Sequence, residues 1–207
     1  MNHKLIKKKS NQIYDAAFKK HGDDIKSVLW NDQDKQYFRF SELIKNINLE
    51  LKDKTILDLG CGSCGLYKYL SDLGYKGKYT GYDINASLIN LAKKKFPKIN
   101  IKLIDIIEDD PQEKFNYVLV SGVLNANAGQ NIAWVKKILI KSFDLTKEIL
   151  SFNALSTHVN HIEKEMFYID PSEILSFCIK NLSKRVSLYH HNLPFNYTVS
   201  VFKDPIS

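Results

Sequence analysis

The pattern of apolar and polar residues divides the chain near residue 55. Before this point apolar side chains recur at helical spacing, and Gly22 supplies a helix stop. The recurring apolar positions in the second half of this leader are Phe40, Leu43, Ile44 and Ile47. We therefore expect residues 1–50 to be mostly helical.

Beyond residue 55, short apolar runs alternate with amphipathic segments. Strand-sized runs occur in TILDLG, GKYTGYD, INIKLID, FNYVLVSG and EILSFNAL, and most are followed by a segment with helical periodicity. This alternation predicts βαβ units, and therefore an α/β fold with a mostly parallel sheet and helices on both faces.

The last segment, RVSLYHHNLPFNYTVSVFKD, has a different pattern. Two stretches of alternating residues flank a short loop that contains Pro194, with no helix between them. Such a pair is antiparallel, because parallel neighbours need a long crossover connection. Since the sequence shows no internal repeat or linker, we expect one α/β domain, residues 51–207, preceded by an N-terminal helical cap, residues 1–50.

The number and distribution of basic residues bear on whether the protein binds nucleic acid. The 207-residue chain carries 30 lysine and arginine residues against 23 acidic residues, a formal net charge of +7. Only Arg39 and Arg185 are arginines, and the lysines are scattered along the whole chain. Because arginine is favoured for bidentate phosphate recognition, this distribution argues against nucleic acid as a partner.

The N-terminal sequence and the length of the apolar runs indicate where in the cell we expect the protein. No apolar run is long enough to span a membrane, and the basic start MNHKLIKKKS is not followed by the apolar core of a secretory signal. We therefore expect a cytoplasmic protein with no membrane partner, and the oligomeric state is left open.

The three cysteines do not form a disulfide framework. Cys61 and Cys64 make a C-x-x-C pattern, which leaves redox or metal chemistry open as an alternative. No second cysteine pair or Cys/His cluster completes a tetrahedral metal site. We expect no metal, and small cysteine side chains that fill a tight turn.

A glycine-rich loop follows the first predicted strand. Gly60, Gly62 and Gly65 form a G-x-G-x-x-G pattern, typical of a turn where the backbone approaches a nucleotide closely. Ligands of open α/β sheets bind beyond the carboxyl ends of the strands. The loop alone leaves two cofactors open, a nicotinamide dinucleotide and S-adenosylmethionine.

Three acidic residues end three consecutive predicted strands. Asp83 comes 18 residues after Gly65, near the spacing expected of an acid that accepts from ribose hydroxyls. Asp105 is placed to accept from an adenine amino group. Asp58, two residues before the first glycine, would repel a pyrophosphate but suits an ammonium group. The three acids together favour S-adenosylmethionine, although each alone is also compatible with a helix cap or a turn.

At this point the sequence resembles the class I S-adenosylmethionine-dependent methyltransferases over residues 55–203. Asp58, Gly60 and Gly62 match the acidic-x-Gly-x-Gly motif of that family. The resemblance implies a Rossmann-like seven-stranded sheet of order 3-2-1-4-5-7-6 with the last strand antiparallel. It also implies a set of cofactor-binding residues, namely Asp58, Gly60, Cys61, Gly62, Asp83, Ile84, Asp105, Ile106, Ser121 and Gly122.

The sequence departs from the family pattern at two places, of which the first slightly shifts the turn and the second limits the acceptor. The common third glycine of the loop falls at Cys64, next to Gly65, and SGVLNAN lacks the Asn/Asp-Pro-Pro-aromatic signature of enzymes that methylate amino groups of bases or protein glutamine. We expect O- or N-methylation of a small molecule. An RNA-modifying methyltransferase and a nicotinamide-dependent oxidoreductase remain alternatives.

Candidate bases are histidines near the predicted rim of the sheet. His158 and His161 follow the fifth strand and are the first candidates, because sites cluster at strand carboxyl ends. His190 and His191 are better explained as part of the bend of the terminal hairpin.

Three residues of the leader are candidate ligands of the substrate or cofactor: Tyr14, Trp30 and Arg39. Arg39 is predicted to bind the cofactor carboxylate or an anionic acceptor, with a surface ion pair to an acid such as Asp34 as the alternative. We expect the leader to cover the cleft as a lid, since closing a site excludes water.

Overall fold

The computed structural model describes residues 2–50, 53–192 and 195–204. Pro194, which the sequence places in the loop of the terminal hairpin, lies outside the described residues. Within them, no helix is both long and apolar enough to cross a membrane.

Helices and strands alternate through most of the described chain. The helices are α1 (His3–His21), a 3₁₀ helix (Ile25–Val28), α2 (Gln33–Leu43), α3 (Gly65–Asp72), α4 (Ala86–Lys95), α5 (Ile132–Asp144) and α6 (Pro171–Asn181). The strands are β1 (Thr55–Leu59), β2 (Lys78–Asp83), β3 (Asn100–Leu103), β4 (Phe115–Val120), β5 (Thr146–Ser156), β6 (Tyr168–Ile169), β7 (Val186–Tyr189) and β8 (Asn196–Phe202).

The strands form a single sheet with the order β3-β2-β1-β4-β5-β8-β7. Strand β8 is antiparallel to both β5 and β7, whereas the other neighbours along this order are parallel. The predicted α/β fold, strand order and antiparallel last strand are confirmed. Strand β6, which pairs with β5, was not predicted, because two residues are too few to show a periodic pattern.

Helices α4, α5 and α6 begin at residues whose side chains satisfy free backbone N–H groups. Asn85 caps α4, Asn131 caps α5 and Asp170 caps α6, and each side chain accepts from an N–H group of the first turn. These caps fix where the helices start after their strands or loops.

A hydrophobic core lies on each face of the sheet. Helices α5 and α6 cover one face, where Leu57 and Val118 point, and helices α2, α3 and α4 cover the other, where Ile56 and Leu119 point. This arrangement follows from the two-residue period of strands and from burial of parallel sheets on both sides.

The two long helices of the leader have different environments. Helix α2 buries Phe40 and Leu43 in the second core, so it is part of the α/β body. Helix α1 buries only Ile6 and contacts the carboxyl edge of β2 and β3 largely through polar side chains. The expected helical character of the leader is confirmed, and Gly22 ends α1 with a backbone N–H bond to Phe18.

Candidate active site

A cavity lies at the carboxyl edge of the sheet, where β1, β2, β3 and β4 end; we call it the first chamber. All ten residues predicted to bind the cofactor line it: Asp58, Gly60, Cys61, Gly62, Asp83, Ile84, Asp105, Ile106, Ser121 and Gly122. The leader contributes a further part of the wall, from His3, Ile6, Lys7, Ser10, Asn11, Tyr14, Val28, Trp30, Gln36 and Phe40. Residues far apart in sequence therefore meet around one space.

The glycine loop takes a conformation that favours residues without a side chain. Gly60 has φ +75° and Gly62 has φ +52°, in the region where a Cβ atom causes strain. A Cβ atom on Gly60 would also lie 2.2 Å from Cγ2 of Val123. The loop thus brings bare backbone to the chamber. Cys64 occupies the same region, with φ +63°.

The C-x-x-C pair lies inside this turn. Cys61 and Cys64 are both buried and are not joined in a disulfide. A Cβ atom on Gly81 of the neighbouring strand would lie 2.8 Å from Sγ of Cys61. This close packing agrees with the expected role as small side chains that fill a tight turn.

Asp58 is a buried carboxylate in the chamber wall. Its side chain is 2% exposed, and its Oδ2 accepts a 2.6 Å hydrogen bond from the hydroxyl of Tyr79. Burial raises the pKa of Asp58 to about 7, although the bond from Tyr79 opposes the shift. Among the residues that the structure describes, no cationic side chain forms an ion pair with it. A cationic ligand would supply the missing partner.

Asp83 is buried where β2 ends and braces the glycine loop. Its Oδ2 accepts from the backbone N–H of Gly62 and its Oδ1 from that of Asn85, each at 2.8 Å. Burial raises the pKa of Asp83, although these backbone bonds oppose the shift. Asn85, not Asp83, caps helix α4, so the predicted alternative of a helix cap belongs to its neighbour. Each carboxylate oxygen retains capacity for another hydrogen bond.

Asp105 is already engaged by the leader helix. Its Oδ2 accepts from Nε2 of His3 at 2.7 Å and lies 3.0 Å from Nζ of Lys7, while Oδ1 accepts from the N–H of Ile107. Burial pushes the pKa of Asp105 upward, but the bonds from His3 and Lys7 outweigh it and hold the pKa below its ordinary value. No local sequence pattern predicts these contacts, because His3 is 102 residues away from Asp105.

The same corner contains three groups with metal-binding atoms. His3, Asp105 and Glu108 place these atoms within 4.8 Å of one another. Nζ of Lys7 lies 3.0 Å from Asp105 and 2.9 Å from Glu108, so an ammonium group already supplies the positive charge there. The expectation of no metal stays a prediction.

A second chamber adjoins the first. Tyr14, Val28, Trp30, Gly122 and Ala126 line both. The remaining wall of the second chamber combines apolar and polar side chains and is formed by Leu29, Arg39, Asn125, Leu155, Val159, Asn160, His161, Glu163, Met166, Tyr168, Phe195 and Asn196. The chain therefore offers two adjoining spaces, one with the three strand-end acids and the glycine loop and one that contains the buried Arg39.

Arg39 is a buried cation in the second chamber. It is 4% exposed, and its guanidinium lies 5.4 Å from the ring centre of Trp30. With the side-chain amide of Asn125 oriented so that its oxygen faces Arg39, Nη1 and Nη2 donate to that oxygen at 2.8 and 3.1 Å. Its Nε has no partner among the described residues. Burial lowers the pKa of Arg39 to about 9, so it is charged at neutral pH. The alternative of a surface ion pair with Asp34 is wrong, because Arg39 is buried.

The two candidate bases are placed differently. His161 lines the second chamber at an exposed position. His158 is exposed and lies outside the walls of both chambers, with its ring centre 6.2 Å from that of His190.

Tyr14 lines both chambers. Burial, reinforced by the charge of Asp83, raises the pKa of its hydroxyl. Tyr14 therefore stays a neutral hydroxyl near pH 7.

The first chamber fits S-adenosylmethionine in its donor set. A buried carboxylate without a cation, at Asp58, suits an ammonium group. Asp83 retains acceptor capacity for hydroxyls, and Ile84 and Ile106 offer apolar surface for a base. A pyrophosphate in place of the amino acid moiety would meet the Asp58 carboxylate instead of a neutral turn, which argues against a nicotinamide dinucleotide.

Comparisons with known proteins agree with this geometry. A family model described as a methyltransferase domain matches residues 50–185. A putative methyltransferase of Mycobacterium tuberculosis is 27% identical over 156 residues, which is 72% of this chain and 93% of that protein.

Two solved structures share the fold. Magnesium protoporphyrin IX methyltransferase from Synechocystis PCC 6803, with bound S-adenosylmethionine, superposes with a TM-score of 0.68 at 14% identity and covers 96% of this chain and 97% of its own. Human N-acetylserotonin methyltransferase gives a TM-score of 0.69 at 14% identity, over 94% of this chain and 59% of its own. At these identities the likeness concerns the fold alone.

The family model spans more than half of the chain, and the fold and strand order are those expected of the family. The family, the enzyme class and the cofactor that the sequence predicts are thereby confirmed. The chain belongs to the class I S-adenosylmethionine-dependent methyltransferases.

Proposed function

We propose that the enzyme methylates a small molecule, on oxygen or nitrogen, that binds in the second chamber. The observation that carries this proposal is the shared wall between the two chambers, formed by Tyr14, Val28, Trp30, Gly122 and Ala126. A cofactor in the first chamber and an acceptor in the second would meet there. Transfer needs the acceptor atom in line with the methyl carbon, and proximity and orientation supply much of the barrier reduction.

The acids of the first chamber are assigned to parts of the cofactor. Asp58 would accept from the ammonium group, and Asp83 from the ribose hydroxyls. Asp105 would accept from the adenine amino group, with Ile84 and Ile106 packed on the base. The glycine loop, Ser121 and Gly122 would contact the cofactor through backbone groups. All of these residues line the same chamber, which supports the assignment.

Arg39 is assigned to a carboxylate. It is buried, positively charged and lacks an acidic partner among the described residues, and a buried cation is costly until it is paired. Trp30, shared by both chambers, holds the guanidinium against its ring. The carboxylate of the cofactor is one source, and because Arg39 lines the second chamber and not the first, that carboxylate would have to extend past the shared wall at Trp30. An anionic acceptor is the alternative source.

The cofactor, when bound, supplies a methyl group activated by a sulfonium. The chain's own residues would orient the two reactants and exclude water. Tyr14 remains neutral and can donate or accept a hydrogen bond at the shared wall. Among the described wall residues of the second chamber, His161 is the candidate base, at the exposed end. His158 is outside that wall, so we retain it only as a less direct candidate.

The leader is assigned two roles. Helix α1 and Trp30 would close the first chamber as a lid, since polar contacts hold α1 against the strand ends. Helix α2 would act as part of the body, because Phe40 and Leu43 belong to the core. We therefore propose a division into a cap, residues 1–50, and a methyltransferase domain, residues 51–207, in which α1 performs the function of the cap. Helix α2 belongs to the cap by sequence but packs as part of the domain.

A small molecule is favoured over RNA as acceptor. Among the described residues, the wall of the second chamber carries a single buried cation, Arg39, and no lysine, whereas nucleic acid binding relies on an exposed basic surface. Several lysines are already paired with acids, namely Lys7, Lys54, Lys95, Lys136 and Lys141. A cytoplasmic location stays a prediction from the sequence.

The test is transfer of label from S-adenosyl[methyl-³H]methionine to fractionated cell extract. The proposal expects label in the fraction of small molecules, and no label with an Asp83→Ala variant. Label confined to the RNA fraction, together with strong salt-dependent retention on heparin, would favour the RNA-modifying alternative.

A further inference from the structure

A chain of hydrogen bonds joins three distant segments at the wall of the first chamber. The indole Nε1 of Trp134, on α5, donates to Nδ1 of His3 at 3.1 Å. Nε2 of His3, on α1, lies 2.7 Å from Oδ2 of Asp105, which follows β3. All three residues line the chamber. None of the contacts is local in sequence, so the leader is part of the wall that surrounds Asp105.

The direction of this chain is fixed by chemistry. An indole N–H group can only donate, so Nδ1 of His3 must accept. The proton of the neutral imidazole is then on Nε2, which donates to Asp105. Trp134 therefore selects the tautomer of His3 that binds the carboxylate.

The carboxylate of Asp105 is left with one directed acceptor site. Oδ2 is occupied by both His3 and Lys7, and Oδ1 accepts from the backbone N–H of Ile107 at 3.0 Å. A carboxylate oxygen has two lone-pair sites, so Oδ1 keeps one. Since His3 and Lys7 hold the other oxygen, the carboxylate cannot rotate freely to offer a different one.

We propose that His3 is a positioning residue that sets the selectivity of the enzyme for the base of its cofactor. Acting through Asp105, it fixes an acceptor that pairs with the 6-amino group of adenine and repels the 6-oxo group of hypoxanthine. The proposal rests on the assignment of Asp105 to the adenine edge under Proposed function. It makes the first turn of the leader part of cofactor recognition, beyond its place in a lid.

The discriminating experiment compares two ligands that differ only in the base, at position 6 and in the proton that the 6-oxo form carries on N1. S-adenosylhomocysteine carries the amino group and S-inosylhomocysteine the oxo group. A hydrogen bond to a charged acceptor corresponds to about 10- to 100-fold in affinity. Calorimetry on the wild-type protein should therefore show S-adenosylhomocysteine binding at least tenfold more tightly.

Variants separate positioning from simple anchoring of α1. His3→Ala should reduce the ratio of the two affinities several-fold, and His3→Gln, whose amide N–H can still donate to Asp105, should restore much of it. Trp134→Phe keeps an aromatic ring but removes the donor to His3, so it should also reduce the ratio. It serves as a second test if His3→Ala folds poorly. His21→Ala, at the far end of the same helix, is the matched control and should leave the ratio unchanged.

The outcomes are distinct. Equal weakening of both ligands in His3→Ala and Trp134→Phe would show that His3 merely anchors α1, and would overturn the proposal. A wild-type protein that binds both ligands equally would overturn it as well. A wild-type protein that does not bind S-adenosylhomocysteine would contradict the proposed cofactor placement itself, and this proposal with it.

Discussion

The hydroxyl of Tyr79 donates a 2.6 Å hydrogen bond to the carboxylate of Asp58, linking neighbouring strands β2 and β1 beneath the glycine loop. It is the one side-chain hydrogen bond that Asp58 receives among the described residues. A single neutral donor compensates a buried charge only in part. The ionised carboxylate of Asp58 is therefore unfavourable in the ligand-free protein. We expect a cationic group of the ligand to pair with it.

We predict that Asp58→Asn stabilises the ligand-free protein at pH 8 and weakens binding of S-adenosylhomocysteine. The pKa of Asp58 is about 7 in the folded chain, above its unfolded value. The group therefore costs stability as pH rises from about 4 to 7, and the full cost remains above pH 7. The variant should gain on the order of 1–3 kcal/mol at pH 8, and its advantage should shrink toward pH 4.

Thermal denaturation from pH 4 to 8.5 measures this difference. Asp72→Asn is the control, because Asp72 is exposed and pairs with Lys68 on the surface of α3. A variant less stable than wild type at pH 8, or one that binds the ligand equally well, would mean that Asp58 has a structural role only.

A second prediction concerns Asp83, which we expect to matter for both stability and binding. Asp83→Ala leaves the buried N–H groups of Gly62 and Asn85 without their acceptor, which costs about 1–3 kcal/mol each at most. It also removes the acceptor assigned to the ribose. Affinity for S-adenosylhomocysteine should fall by roughly 2–4 kcal/mol, since bonds to charged groups contribute about 1.5–3 each and rarely add fully.

Calorimetry and urea denaturation together test the prediction. Asp83→Asn keeps an oxygen for one of the two N–H groups, so it should lose less stability than Asp83→Ala while still binding weakly. Unchanged affinity in both variants would mean that Asp83 only braces the loop.

A third prediction compares substitutions at two glycines that both have a positive φ angle. Gly60 has φ +75° and Gly74 has φ +83°. A Cβ atom on Gly60 would lie 2.2 Å from Val123, whereas one on Gly74 would have nothing within 4 Å. Gly74→Ala should cost about 1–2 kcal/mol from strain alone, and Gly60→Ala distinctly more, together with loss of cofactor binding. Equal denaturation midpoints for the two variants would show that the contact with Val123 relaxes easily.

A fourth prediction concerns which carboxylate the guanidinium of Arg39 binds. If it binds the carboxylate of the cofactor, Arg39→Gln should weaken S-adenosylhomocysteine binding at least tenfold, since charge-assisted bonds are worth about 1.5–3 kcal/mol. Arg39→Lys should recover part of the loss, because the planar fork is missing. Arg185→Gln is the matched control, as Arg185 is exposed and donates to the backbone of Lys203. Unchanged binding of S-adenosylhomocysteine with a raised KM for the acceptor would instead assign Arg39 to an anionic acceptor.

Local patterns predicted the fold and the acids of the site. Asp58, Asp83 and Asp105 could be found because each ends a strand, and parallel strands bring their carboxyl ends to one edge. The order of the strands came from the resemblance to a family. What the sequence did not reveal depends on contacts between distant segments, such as His3 with Asp105 and Arg39 with Asn125.

Two side chains lie in environments that local sequence patterns do not predict. The surface alternative for Arg39 assumed that a charged side chain stays in water, but the ring of Trp30 and the amide of Asn125 cover it. His158 and His161 are predicted as candidate bases because both follow the carboxyl end of the fifth strand, yet only His161 lines the second chamber. Side-chain direction in an irregular loop carries no periodic signal that a sequence pattern could reveal.

The most direct test of the account is calorimetric titration of the ligand-free protein with S-adenosylhomocysteine and, separately, with NAD. The first chamber combines a buried acid at Asp58 with acceptors at Asp83 and Asp105. It should bind S-adenosylhomocysteine at one site per chain, with no measurable heat of binding for NAD. Binding of NAD without binding of S-adenosylhomocysteine would contradict the central claim.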